Sequence, residues 1–255
     1  MSSPRNYQTD AIVIKKTKLG EADSILTFYT PHLGKIQGFA KSLRKTKSRM
    51  AGHLELLTHS KVSLARGRSI DTITGSQTIS SFMPLKIDLD LTSYGLYIIE
   101  LIHQFTAEHV EDYPLFQLLL ETLENLSQQN DKDLVLRYYE LHLLDRVGYR
   151  PQLQECVACK TPLQPVTNTF SPSSGGIMCP VCSHGQFSIY QVSLNALKVL
   201  RLMQGSGFET VARLKLNPEL SRELEMLMRN YLRYLLEREV KSVAWLDSLK
   251  GETGG

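Results

Sequence analysis

The chain reads as an α+β multidomain protein: a small N-terminal β-barrel, then a helical region interrupted by a four-cysteine ribbon. Three observations predict this. The first ~80 residues form short runs rich in β-branched and aromatic residues, punctuated by glycine turns. Beyond residue 90 the apolar residues change to a helical period. All four cysteines fall in two brackets, Cys156-Val-Ala-Cys159 and Cys179-Pro-Val-Cys182, separated by residues 160–178.

The barrel is built from five predicted strands. Ala11-Ile12-Val13-Ile14 is a short buried run, and Ser24 to Thr30 (Ser-Ile-Leu-Thr-Phe-Tyr-Thr) is rich in β-branched and aromatic residues. Pro31-His32-Leu33-Gly34 is a turn, and Lys35 to Ala40 completes a hairpin. Ser60 to Ala65 alternates around Val62 and Leu64, Arg66-Gly67-Arg68 turns, and Ile70 to Ile79 returns. Five short strands in so little chain suit a small closed sheet.

The helical region follows. Tyr94, Tyr97, Ile98, Leu101, Ile102 and Phe105 share one face at i, i+3, i+4, i+7, i+8 and i+11. Residues 114–126 and 132–147 continue as helices, the second capped by Asp131 and stopped by Gly148 and Pro151. Helix resumes near Leu194–Met203. A last long helix starts at the Asn217-Pro218 cap, with Leu220, Leu224, Leu227, Tyr231 and Leu235 as its buried stripe. Trp245 is expected to pack. The domain plan is therefore 1–82 for the barrel, 83–150 and 191–250 for two parts of a helical domain, 151–190 for an inserted ribbon, and 251–255 for a flexible tail.

Two C-x2-C turns facing one another make a tetrahedral four-thiolate site, the ligand set of structural zinc. Cys156, Cys159, Cys179 and Cys182 are the expected ligands of one Zn2+. Iron would use the same four sulfurs. Two disulfides need an oxidising compartment. The N-terminus has no apolar signal segment and no stretch approaches ~18 uninterrupted apolar residues. A reduced cytoplasmic setting with no membrane role is expected, and metal ligation fits it better than disulfides do. A thioredoxin-type pair would open a helix with a single bracket, unlike two matched turns. His184, two residues past the last cysteine, reads as a solvated loop residue.

Net charge is only +3, but it is unevenly spread. Residues 1–70 carry 13 basic and 4 acidic side chains, a balance of +9, against −6 for the remainder. A basic module on an acidic remainder points to a polyanion partner. The densest run is Lys41-Ser-Leu-Arg44-Lys45-Thr-Lys47-Ser-Arg49, between two predicted strands. Lys35, Arg66 and Arg68 extend it, as do Lys15, Lys16 and Lys18. Such cations neutralise phosphates, so binding should weaken steeply with salt. Phe28, Tyr29 and Phe39 are candidates for base stacking; Phe28 and Phe39 read rather as core, Tyr29 as either. No phosphate loop, G-x-G-x-x-G, H-E-x-x-H or G-x-S-x-G occurs, and a closed four-thiolate site leaves no open metal position. A binding role is expected in preference to an enzyme.

Together, Gly34-Lys35 in a barrel hairpin, the basic run, Gly148-Tyr149-Arg150-Pro151-x-Leu153 leading into Cys156, and Phe170-Ser-Pro172-x-x-Gly175-Gly176 leading into Cys179 resemble the RecO family of bacterial recombination mediators. The resemblance spans nearly the whole chain. It implies an oligonucleotide-binding (OB) fold, a helical domain and an inserted zinc ribbon. It further implies binding of single- and double-stranded DNA, strand annealing, and loading of the RecA recombinase on DNA coated by single-strand binding protein. Implied partners are RecR, in many bacteria RecF, and the acidic C-terminal tail of single-strand binding protein. Arg222, Arg229 and Arg233 on the last long helix could receive such a tail, although acidic neighbours suit a solvated face. Two other readings stay open: a zinc-ribbon accessory protein of transcription or RNA metabolism, and an adaptor that binds no DNA.

Overall fold

A computed structural model describes residues 5–45, 48–128, 130–237 and 240–252. The chain divides into two compact units, Met1–Gln128 with Lys241–Gly255, and Gln129–Val240.

The first unit opens with the barrel: β1 (Asn6–Leu19), β2 (Asp23–Thr30), β3 (Gly34–Ala40), β4 (His59–Ala65) and β5 (Asp71–Ser80). The sheet closes in the order β1-β2-β3-β5-β4. Long β1 makes closure possible: residues 6–12 pair with β4, residues 12–19 pair with β2, and the register shifts between Val13 and Lys15. The last seam is a short parallel pairing, Gly38 with Asp71 and Phe39 with Thr72. Ala11, Val13, Leu26, Phe28, Ile36, Val62, Leu64 and Ile73 fill the interior. Leu43 and Leu54 join that core from the segment between β3 and β4.

Helices α1 (Pro84–Ile87), α2 (Leu89–Phe105) and α3 (Tyr113–Ser127) follow. Asp88 caps α2 by accepting from the Leu91 N–H, and Asp112 caps α3 through Leu115. The predicted face of α2 is buried except for Phe105, which is half-buried.

The second unit begins with α4 (Lys132–Arg146), capped by Asp131 as expected. Gly148, at φ +86°, ends it in the left-handed region. The ribbon then carries β6 (Asn168–Ser171), β7 (Gly176–Met178), the short α5 (Pro180–Ser183) and β8 (Tyr190–Val192), in a sheet ordered β7-β6-β8. Helices α6 (Leu194–Gly205), α7 (Phe208–Val211) and α8 (Pro218–Leu236) complete the unit, with α4, α6 and α8 packed on one another. The ribbon is thus an excursion from a helical framework.

The Asn217 cap and Pro218 start of α8 are as expected. Its buried residues are Leu224, Leu227, Met228, Tyr231 and Leu232, whereas Leu220 and Leu235 are half-buried. The stripe follows i, i+3, i+4, i+7, i+8, and Met228 and Leu232 take the places expected for the two outer leucines.

Finally α9 (Lys241–Glu252) returns to the first unit against α2. Glu100 accepts from the backbone N–H groups of Lys241 and Ser242, both at 2.8 Å, so a carboxylate on α2 caps the helix far along the chain. Gly251 and Glu252, placed in a tail by composition, belong to its last turn. The Trp245 side chain and residues 253–255 lie outside the described residues.

Candidate nucleic-acid interface and metal centre

The barrel's outer face is set by strand alternation. A Cβ on Gly38 would meet the core side chains of Ile73 and Leu64, so position 38 faces inward and Phe39 outward. Phe39 is half-buried and sits in the cross-strand row Thr17–Ile25–Phe39–Thr72. Phe28 and Tyr29 are only 0% and 1% exposed. Of the three aromatic candidates, Phe39 is therefore the one on the surface. A short apolar run does not reveal which of its members faces out; the glycine beside Phe39 was the available signal.

Two pinned basic segments flank this row. On one side the Ser42 N–H donates to Asp23 Oδ1 at 2.6 Å, the Arg44 N–H to the Ala22 carbonyl at 2.9 Å, and the Arg44 guanidinium to the Gly20 carbonyl at 3.2 Å. Buried Leu43 anchors the segment, leaving Lys41, Arg44, Lys45 and Arg49 exposed. Lys47 lies outside the described residues. On the other side Asp71 accepts from the Tyr7 hydroxyl at 2.6 Å and the Gly67 N–H at 3.0 Å, holding the turn that exposes Arg66 and Arg68. The Arg66 guanidinium lies 5.0 Å from the Tyr7 ring centroid. Burial, and then the Asp71 carboxylate, raise the Tyr7 phenol pKa far above its ordinary value, so it stays a donor.

Lys35 is used differently. It is 7% exposed, and its ammonium donates to the carbonyls of His103 at 2.8 Å and Thr106 at 2.5 Å, at the end of α2. Among the flanking lysines, Lys16 pairs with Glu55 at 2.9 Å, Lys15 Nζ lies 3.2 Å from His103 Nε2, and Lys18 is exposed.

In the second unit the four cysteine sulfurs all lie within 4.8 Å of one another, with Cys159 and Cys179 at 3.9 Å. Tetrahedral ligation at about 2.3 Å per bond requires sulfurs about 3.8 Å apart, so the donor set fits a single ion. The fold brings the brackets together through close backbone approach. Gln152 N–H donates to the Gly175 carbonyl, and Ile177 N–H to the Gln152 carbonyl, both at 2.9 Å. Val157 N–H donates to the Ile177 carbonyl at 2.8 Å. A Cβ on Gly176 would meet the Gln152 carbonyl oxygen at 2.5 Å, while Gly175 takes φ +66° in the turn. The Cys179 N–H donates to Cys156 Sγ at 3.3 Å. The Thr161 hydroxyl bonded to Cys159 pulls that thiol down to about 6, while the Cys179 and Cys159 sulfurs push Cys182 up to about 12, so binding a metal to all four would release protons. The base of the ribbon is tied to the helices by Arg201 to the Leu153 carbonyl (2.8 Å), Gln204 to Pro151 (2.9 Å) and Tyr231 to Tyr149 (3.0 Å).

On α8, Arg222 donates to the Pro218 carbonyl, Arg229 to Glu225 and Arg233 to Asn230. The three do not form one open cationic face. No described helix is long and apolar enough to cross a membrane.

A closed five-stranded barrel with cationic and aromatic residues on its outer face, and a helical part bearing a four-thiolate knuckle, place the chain in the oligonucleotide-binding-fold class. Comparison with known proteins narrows this. The family model for the recombination protein O N-terminal region matches residues 1–82, and that for its C-terminal region matches residues 87–244. A DNA repair protein RecO from Dehalococcoides mccartyi (strain CBDB1) is 50% identical over 250 residues, covering 98% of each chain. Another from Roseiflexus sp. (strain RS-1) is 42% identical over 246 residues, covering 96% of this chain and 87% of the relative. A third, from Desulforamulus reducens, is 32% identical over 243 residues, covering 95% and 94%. The chain belongs to the RecO family of DNA repair and recombination proteins.

Proposed function

We propose that this chain is a non-enzymatic recombination mediator that binds single- and double-stranded DNA on the outer face of its barrel. It anneals complementary strands and helps load the RecA recombinase on DNA coated by single-strand binding protein. The observation that carries this is half-buried Phe39, flanked by the pinned segments bearing Lys41, Arg44, Lys45 and Arg49 on one side and Arg66 and Arg68 on the other. Cations on both sides of an aromatic suit a single strand, its phosphates neutralised and a base stacked. Neutralising one strand lowers the repulsion met by its complement. Lys35 stands apart, its ammonium bonded to two carbonyls. RecR, RecF and the tail of single-strand binding protein are the proposed partners, and the bacterial cytoplasm the proposed setting. The four cysteines hold one structural Zn2+ in a ribbon spanning 151–190; that ion would cross-link the two turns and, with four protein ligands, leave no open position.

Salt-titrated binding and annealing test the reading. Replacing Arg44, Lys45, Lys47 and Arg49 together by Gln should weaken oligothymidylate binding and flatten its salt slope. The slope should fall by about 0.7 for every phosphate that the variant no longer neutralises. Unchanged affinity and slope would remove the barrel face from the proposal, and favour the adaptor reading.

A further inference from the structure

A second feature lies in the other unit. Where α8 meets the ribbon, a groove of about 200 Å³ is lined by Tyr190, Tyr234, Arg233, Asn230, Ser173 and Ser188. Its chemistry is specific. Tyr234 is 51% exposed, Tyr190 is half-buried, and Phe187, beside Ser188, is 92% exposed. Arg233 is the one cation among the lining side chains, and none of them is acidic. The surrounding ribbon adds no repulsion, because residues 161–197 contain no Asp, Glu, Lys or Arg at all. The volume is below the ~300 Å³ at which drug-sized pockets begin, which suits a single small unit rather than a duplex.

We infer that this groove is a nucleotide subsite for single-stranded DNA, taking one unpaired base against the tyrosine rings with its phosphate on Arg233 and the serine hydroxyls. Every base has a π-face, so such a site accepts any sequence. One guanidinium beside hydroxyl donors matches one phosphodiester. An acidic peptide would call for several cations, and Arg233 is the one cation in this lining, where it donates to Asn230 at 2.7 Å. The inference rests on the proposed DNA binding and adds to it. Annealing needs two strands on one protein; the barrel face serves one, and this groove gives the other a hold on exposed bases.

The test uses the full chain. Oligothymidylate carrying 5-bromouracil is photo-crosslinked to the protein and the adducts are mapped by mass spectrometry. Adducts on Tyr190, Tyr234 or Phe187, besides those in the barrel, are expected. In calorimetric titration with oligothymidylate, the double variant Arg233→Gln, Tyr234→Ser should lose the weaker of two binding steps by about tenfold, the loss typical of a stacked base. The stronger step should stay within twofold. Adducts confined to residues 5–80, with an unaffected double variant, overturn the subsite and leave the barrel reading standing. No adduct and no binding anywhere overturn the barrel reading itself. A synthetic acidic peptide that binds the parent but not the double variant, without base adducts in the groove, reassigns it to peptide and overturns the nucleotide assignment. The crosslinking arm needs no substitution, so it decides even if the variant misfolds.

Discussion

The ammonium of Lys35, at the start of a barrel strand, donates to the carbonyl of His103, 68 residues later, at 2.8 Å. Its second bond, to Thr106, meets another carbonyl at the end of α2. Those carbonyls have no partner within the helix, and the negative end of the helix dipole favours a cation there. One lysine thereby clamps the β2–β3 hairpin onto the helix. Beside it Gly34, at φ +61°, lies so close to Val110 that a Cβ would stand 2.0 Å from its carbonyl oxygen.

Lys35→Met should therefore act on stability. Two part-buried carbonyls would lose a charged donor, at a cost of roughly 1–3 kcal/mol. Urea denaturation should show the loss, while oligothymidylate affinity of the folded variant at low salt stays within twofold of the parent. An affinity loss comparable to that of the four-cation variant would return Lys35 to the DNA face.

The metal centre predicts a different pattern. Purified protein should carry about one zinc per chain, released by acid or chelator because the thiolates must remain deprotonated. Cys156→Ser removes the buried member of the set. Zinc content should fall towards zero and residues 151–190 should become protease-sensitive. Neither zinc nor iron in the parent, with all thiols reduced, would sink the assignment.

Acid should destabilise the fold through histidines. Burial lowers the pKa of His59, of His103 (where Lys15 and Lys35 push further) and of His142 below the ordinary 6.5. The unfolded chain then binds protons that the folded chain refuses, so stability falls as pH drops below about 6.5 and levels off below the folded-state values. Urea midpoints between pH 7.5 and 5 should trace this. His59→Gln should flatten part of the curve, and an equally steep curve in that variant would count against His59.

Gly176→Ala tests the close approach that assembles the ribbon. The new methyl would meet the Gln152 carbonyl at 2.5 Å and Val157 Cγ1 at 2.7 Å. A loss of about 1–3 kcal/mol is expected, the range for overpacking a filled site. Zinc affinity should fall with it, whereas Gly205→Ala, where a Cβ meets nothing within 4 Å, should leave zinc affinity unchanged.

Much of this was legible in the residues. Apolar, β-branched and aromatic runs between glycine turns located the five strands, Asp131, Asn217 and Pro218 marked helix starts, and the cysteine spacing predicted a cluster that the fold brings within 4.8 Å. The family followed from the residues flanking those cysteines. Less legible was what covers an outward-facing side chain. Tyr29 and Phe39 share the barrel's outer face through the pairs Tyr29–Lys35 and Ile25–Phe39, yet Tyr29 is buried and Phe39 only half-buried. Helix α9 escapes a local reading because its starting cap is not local: Glu100 supplies it from 141 residues away.

Local chemistry determined what the sequence alone determined: strand and helix periods, caps set by neighbouring residues, and ligand pairs set by C-x2-C turns. Tertiary structure decided which cations are exposed. Lys35 and Lys45 look equivalent as letters, yet one ammonium is bonded to helix carbonyls and the other side chain is exposed in the segment after β3. The reason is physical: a charge is assigned its role by what surrounds it, and those surroundings come from chain segments tens of residues away.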